Sequence, residues 1–185
     1  ARAAVAELSA CTLCAARFAA TRTGHAPRPV FQIAPSARLL IASQAPGARA
    51  HASGLPFDDP SGDRLRAWLG IGRETFYDAR RIAIVPMGFC FPGHDAKGGD
   101  LPPPRLCAET WRARMLGLLP DLELTLLVGQ YAQGWHLGRS LGPSLTERVR
   151  RWREAPAGIL PLPHPSWRNT AWLKRNPWFE AELLP

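Results

Sequence analysis

Four cysteines, one histidine set between prolines and two adjacent aspartates are the residues of this 185-residue chain best suited to chemistry. Cys11 and Cys14 form a C-x-x-C pair, with Cys90 and Cys107 far downstream. A close pair plus two distant thiols suggests a metal or cluster site assembled by the fold. The plainer alternative is two buried thiols beside a chance C-x-x-C. His164 lies in Leu162-Pro163-His164-Pro165-Ser166, where rigid neighbours hold an imidazole that can donate a hydrogen bond or a proton. Asp58 and Asp59, in Phe57-Asp58-Asp59-Pro60-Ser61-Gly62-Asp63, offer carboxylates to hold a water or face a cation, or they form a turn and cap before a helix.

Short apolar runs at Leu39–Ala42, Ile82–Val85, Leu124–Val128 and Gly158–Leu162 read as buried strands. Helical spacing between them joins Leu65, Trp68 and Leu69, with Ser61 as the expected cap and Gly70 as the stop. It also joins Cys107, Trp111, Met115, Leu118 and Leu119 up to Pro120, and then Leu145, Val149 and Trp152. Strands alternating with helices predict an α/β protein, a three-layer α/β/α sandwich on a four-stranded, mostly parallel sheet. Ligands in such sheets bind beyond the carboxyl ends of the strands. That rule selects Ser43–Gly47, Pro86–Cys90, Gly129–Tyr131 and Leu162–Asn169.

Within those segments, Ser43-Gln44-Ala45-Pro46-Gly47 followed by Gly54-Leu55-Pro56-Phe57 resembles the first motif of uracil-DNA glycosylases, most closely the iron–sulfur-containing families 4 and 5. His164-Pro165-Ser166 resembles their second motif, and Cys11-Thr12-Leu13-Cys14 the start of their cluster-binding pattern. The resemblance runs from Cys11 to Pro177. It implies a uracil-DNA glycosylase-like fold with a 4Fe-4S cluster on Cys11, Cys14, Cys90 and Cys107, zinc being the competing assignment. It also implies an enzyme that flips uracil out of DNA and hydrolyses its N-glycosidic bond, leaving an abasic site without cutting the strand.

The implied roles follow from that chemistry. Phe57 is the stacking wall for the flipped base, and His164 the donor to a base carbonyl as negative charge develops there. Asp59 or Asp58 is the catalytic carboxylate; counting back from Ser61-Gly62-Asp63 favours Asp59, counting forward from Phe57 favours Asp58. The chain departs from family 4 in having Gln44 where glutamate is usual and Pro86 where an asparagine reads uracil. Base recognition is therefore expected from Gln44, Ala45 and backbone groups of Met87, Gly88 and Phe89. Ser166, Trp167 and Arg168 are expected to meet DNA, by phosphate contact or by wedging into the stack. His51, inside the first-motif loop, reads as a solvated loop histidine, with covalent capture of the sugar as the sharper alternative.

Composition agrees. A formal charge of +8 suits a polyanionic partner, here DNA containing uracil, although a basic surface can serve solubility alone. A hydrophobic fraction of 46% excludes a disordered chain. No apolar run approaches the ~20 residues that span a bilayer, and the first residues form no signal-like stretch. One domain over residues 1–185, cytoplasmic and monomeric, is expected, with no membrane partner.

Overall fold

The computed structural model describes residues 2–185. Its sheet comprises β1 (Leu39–Ala42), β2 (Ile82–Ile84), β3 (Leu124–Val128) and β4 (Ile159–Leu162) in the order β2-β1-β3-β4. Every pairing is parallel, so the sheet is wholly rather than mostly parallel. Leu39 aligns with Ile82 on one side and Leu124 on the other, and Thr125 aligns with Ile159. The expected strands were a residue too long at two ends: Val85 already leaves β2, and Gly158 precedes β4. The outer edge of β2 is covered by Gln32, which exchanges backbone hydrogen bonds with Ile84.

The sheet is buried on both faces, which is why its strands read as continuous apolar runs. Ile41, Ile82, Ile84, Leu126 and Leu162 point to one side and pack with Leu65, Phe76, Val149 and Phe179. These come from α4 (Pro60–Leu69), α5 (Arg73–Phe76), α8 (Leu145–Arg150) and the C-terminal turns. Leu40, Ala83 and Val85 point to the other side, against Leu8 of α1 (Arg2–Ser9) and Trp111 and Met115 of α6 (Arg105–Leu116). Leu127 and Ala42 meet Ala132 and Leu137 of α7 (Gln130–Leu137) beside them. The three layers are thus the expected α/β/α sandwich. Among the described residues no helix is long and apolar enough to cross a membrane.

The helix after Phe57 starts differently from expectation. Its cap is Asp59, whose Oδ1 accepts the Gly62 N–H at 2.9 Å, with Pro60 at the first helical position; Ser61 is already inside. Aspartate and proline are favoured at these positions because they satisfy or remove donors that the helix leaves unpaired. The remaining helices are α2 (Ala15–Ala19), α3 (Ala48–Ser53) and α9 (Thr170–Arg175).

Candidate active site and cysteine cavity

The segments beyond β1 and β2 are tied together by their backbones. Met87 N–H donates to Ser43 O at 2.8 Å and Gly88 N–H to Gln44 O at 2.9 Å. Phe57 has φ +57°, the one non-glycine residue of positive φ among those described. That left-handed conformation costs a side-chain-bearing residue about 1–2 kcal/mol and persists because its surroundings impose it. Its carbonyl lies so close to Gly62 that an added Cβ would stand 1.8 Å from the oxygen, so only glycine fits there. Phe57's ring meets Phe76 edge-on at 6.1 Å and lies alongside His164 at 6.5 Å and 29°. Asp59 Oδ2 faces Gly47 of the first loop, 3.8 Å from where a Cβ would be. Asp58 turns the other way and pairs with Arg73 of α5 at 3.3 Å. Of the two aspartates, the fold brings only Asp59 to the site.

His164 follows β4. Its Nδ1 accepts the Ser166 N–H at 3.2 Å and its carbonyl accepts from the Asn169 side chain at 2.7 Å. Gly129, at φ +88°, lies beside it, where an added Cβ would make an ordinary contact of 3.5 Å with the His164 Cβ. Burial pushes the His164 pKa down to about 4, the Asp59 charge opposing the shift. The ring is thus neutral near pH 7, and with Nδ1 accepting, the proton sits on Nε2. A neutral donor, a carboxylate and an aromatic ring converge at the carboxyl ends of the strands, beside the β1/β3 switch point. The family model of the Uracil DNA glycosylase superfamily matches residues 30–185.

The chain belongs to the uracil DNA glycosylase superfamily. Membership carries the coarse function, a DNA glycosylase that hydrolyses a glycosidic bond in base repair. The match begins after Cys11 and Cys14, so it does not speak for the N-terminal pair.

Several expected roles meet constraints in this glycosylase site. The N–H groups of Met87 and Gly88 are spent on the first loop, and Phe89 N–H donates to Cys107 Sγ at 3.4 Å. The backbone donors expected to read a base are therefore engaged, while the side chains of Gln44 and Ala45 are half-buried. Ser166 gives its N–H to His164 and its Oγ accepts from Arg168 N–H, which leaves only its hydroxyl proton for a phosphate. Trp167 is 68% exposed with Arg168 over its ring at 5.1 Å, and both stand at the surface. His51 lies on α3 rather than in a solvated loop. Its Nδ1 is buried without a partner and its ring packs on His25 at 5.2 Å and Phe91 at 5.8 Å.

Sequence reasoning missed Arg112. It is 1% exposed and donates to Val85 O at 3.1 Å, Pro86 O at 3.3 Å and His136 Nε2 at 2.7 Å. Its lack of a carboxylate partner gave no charge-pair signal, and along the chain it is indistinguishable from the exposed Arg114 two residues on. It fixes the end of β2 just before the base-side loop. Burial, and then the Arg112 charge, bring the His136 pKa down to about 4. In the unfolded chain a histidine binds its proton near pH 6.5. Stability from this pair is therefore complete above that pH and lost as pH falls toward 4, by about 3 kcal/mol. Melting curves across that window should show His136→Gln losing less stability in acid than the wild type; equal losses would disprove the assignment.

The four thiols line one cavity, together with Leu8, Phe18, Phe89 and Trp111. Trp111 Nε1–H donates to Cys11 Sγ at 3.3 Å. Burial, reinforced by the neighbouring cysteines, pushes Cys90 up to about 12; burial likewise pushes Cys107 up to about 11, so as bare thiols both stay protonated. Among the described residues, no group of three or more His, Cys, Asp or Glu side chains is arranged to hold a metal ion. The cavity gathers all four sulfurs but does not close them around one point.

Proposed function

We propose that this protein is a monofunctional uracil-DNA glycosylase related to the iron–sulfur families 4 and 5. The observation that carries the reading is neutral His164, its Nε2–H without a protein partner among the described residues, set between Phe57 and Asp59. A flipped uracil stacks on Phe57, and Gln44 with the Met87 and Gly88 carbonyls meets its polar edge. As the N-glycosidic bond breaks, electron density moves to the base and positive charge to the sugar. His164 donates to the base carbonyl, and Asp59 faces the cation. Trp167 and Arg168 fill the vacated stack and hold a phosphate. Among the described residues no lysine is placed with these groups, and a sugar attacked by water alone leaves the strand uncut.

Cys11, Cys14, Cys90 and Cys107 would hold a 4Fe-4S cluster. Thiols spread around an apolar cavity, with N–H groups of Trp111 and Phe89 turned to sulfur, suit such a group. The four cysteine thiolates would bind the iron of such a cluster and so tie the segment between α1 and α2 and the Cys90–Cys107 loop to the sheet; hydrolysis moves no electrons.

The test is release of base from single- and double-stranded oligonucleotides containing uracil by metal-loaded protein. Free uracil and an alkali-labile, otherwise intact strand are expected. No release of uracil, hypoxanthine, xanthine or mismatched thymine would sink the reading. The engaged N–H groups of the base-side loop favour a range of deaminated bases over uracil alone, because an amide side chain and carbonyls can meet more than one polar edge.

A further inference from the structure

The loop between the third and fourth cysteines brings a carboxylate to the site that the motifs do not contain. It is a closed unit. Asp95 Oδ1 accepts the N–H groups of Lys97 at 2.8 Å and Gly99 at 2.9 Å, Asp95 N–H donates to Gly99 O, and Leu101 N–H donates to Gly93 O at 2.8 Å. Arg168 of the second-motif segment reaches Gly98 O at 3.5 Å, so the loop and that segment touch. This folding sets His94 opposite Asp100, with His94 Nδ1 3.2 Å from Asp100 Oδ1. The other oxygen, Oδ2, lies 3.7 Å from the point where a Gly47 Cβ would stand; Asp59 Oδ2 lies 3.8 Å from the same point. Two carboxylate oxygens from different parts of the chain thus flank one bare glycine in the first-motif loop.

We infer that Asp100 is a second catalytic carboxylate, the group that accepts the proton of the attacking water while Asp59 faces the sugar cation. The assignment rests on the glycosylase reading of the same site. Asp59 cannot easily serve both ends of the reaction, since its Oδ1 is held by the Gly62 N–H. Asp100 has one oxygen 3.2 Å from His94 Nδ1 and the other 3.7 Å from where a Gly47 Cβ would stand. Glycoside hydrolases commonly divide the work between two carboxyl groups, one serving the leaving group and the other the water; here His164 meets the leaving base, and Asp100 is the carboxylate left for the water. Burial raises the Asp100 carboxyl above its ordinary range; His94 and Arg168 oppose the shift and Asp59 adds to it. A carboxylate drawn toward neutrality is the better proton acceptor.

The step balances. The water oxygen forms a bond to C1′ as the C1′–N bond breaks, its electron pair leaving with the base. The water proton passes to Asp100. The base anion, hydrogen-bonded by His164, takes a proton from solvent, and the sugar retains a hydroxyl.

The experiment is single-turnover excision from a uracil-containing oligonucleotide by metal-loaded wild type, Asp100→Asn and His94→Gln across pH 4–9. Asp100→Asn should lose about 10²-fold or more in rate while melting temperature and DNA affinity stay at wild-type values. His94→Gln should keep most of its rate at high pH, and its acid limb should move to higher pH, because a partner that favours the charged carboxylate is gone. An active wild type with an Asp100→Asn variant within threefold of it overturns the assignment alone. A wild type that releases no base overturns the glycosylase reading and the assignment with it. If Asp100→Asn fails to fold, the His94→Gln limb decides, and an unmoved limb counts against Asp100.

Discussion

Replacing His164 with alanine is expected to slow excision by about 10²–10³-fold, the usual loss on removing one preorganised transition-state donor. The reasoning is electrostatic. With its pKa near 4 the imidazole is neutral at the pH of the cell, and the Ser166 N–H on Nδ1 leaves Nε2–H to donate. No protein group has to reorganise when the base becomes anionic. Glutamine at the position can still donate and should restore part of the rate. Asp59→Asn separates two roles of one residue. Asparagine caps a helix as well as aspartate, so the Gly62 contact and the melting temperature should survive, while the charge beside the sugar is lost and excision falls by at least the same factor. Quantitative product release under single-turnover conditions checks both variants. Normal rates in the two together would move the site elsewhere.

The second large effect is expected from Cys90→Ser. The Cys90 thiol stands at the start of the loop that carries Asp100, in a cavity shared with the N-terminal C-x-x-C. Loss of one ligand should remove iron and its visible absorbance. It should also lower stability by roughly 4 kcal/mol, the contribution of a ligand held at a thousand times its dissociation constant. Protease should then cut first between residues 91 and 104, because the Gly- and Pro-rich loop has little apolar burial of its own. A Cys90→Ser protein that keeps its colour and its melting temperature would show the thiols to be packing residues.

The sheet was legible because each strand is buried on both faces and bounded by polar or Gly/Pro-rich loops. A run such as Leu39-Leu40-Ile41-Ala42 is long enough for a strand buried on both faces and too short for a helix. The carboxyl-end rule then placed Gln44, Met87 and His164 on one side before any side chain was located. Short helices were not legible: α3 and α5 are held by contacts with Phe91 and Phe57 rather than by their own periodicity. The choice between Asp58 and Asp59 could not be made from spacing, since adjacent residues differ only in which way the turn points them. The positive φ of Phe57 decides that direction. Asp100 and Arg112 were missed for a related reason. One reaches the site through a loop fold, and the other is a lone buried cation whose partners are carbonyls and a neutral imidazole. Neither arrangement leaves a pattern along the chain. The N–H groups of Ser166 and Met87–Phe89, expected to face substrate, are engaged within the fold, because hydrogen bonds between loops depend on positions that spacing does not fix.

The contact between Gly62 and the Phe57 carbonyl makes the ring and the carboxylate parts of one rigid tool. Phe57, Asp59 and the first turn of α4 cannot shift separately, since the gap that would allow it is filled by backbone. On the proposed glycosylase reading, a base too large for the space beneath the ring should therefore disturb the carboxylate that rides with it, and slow turnover more than it weakens binding.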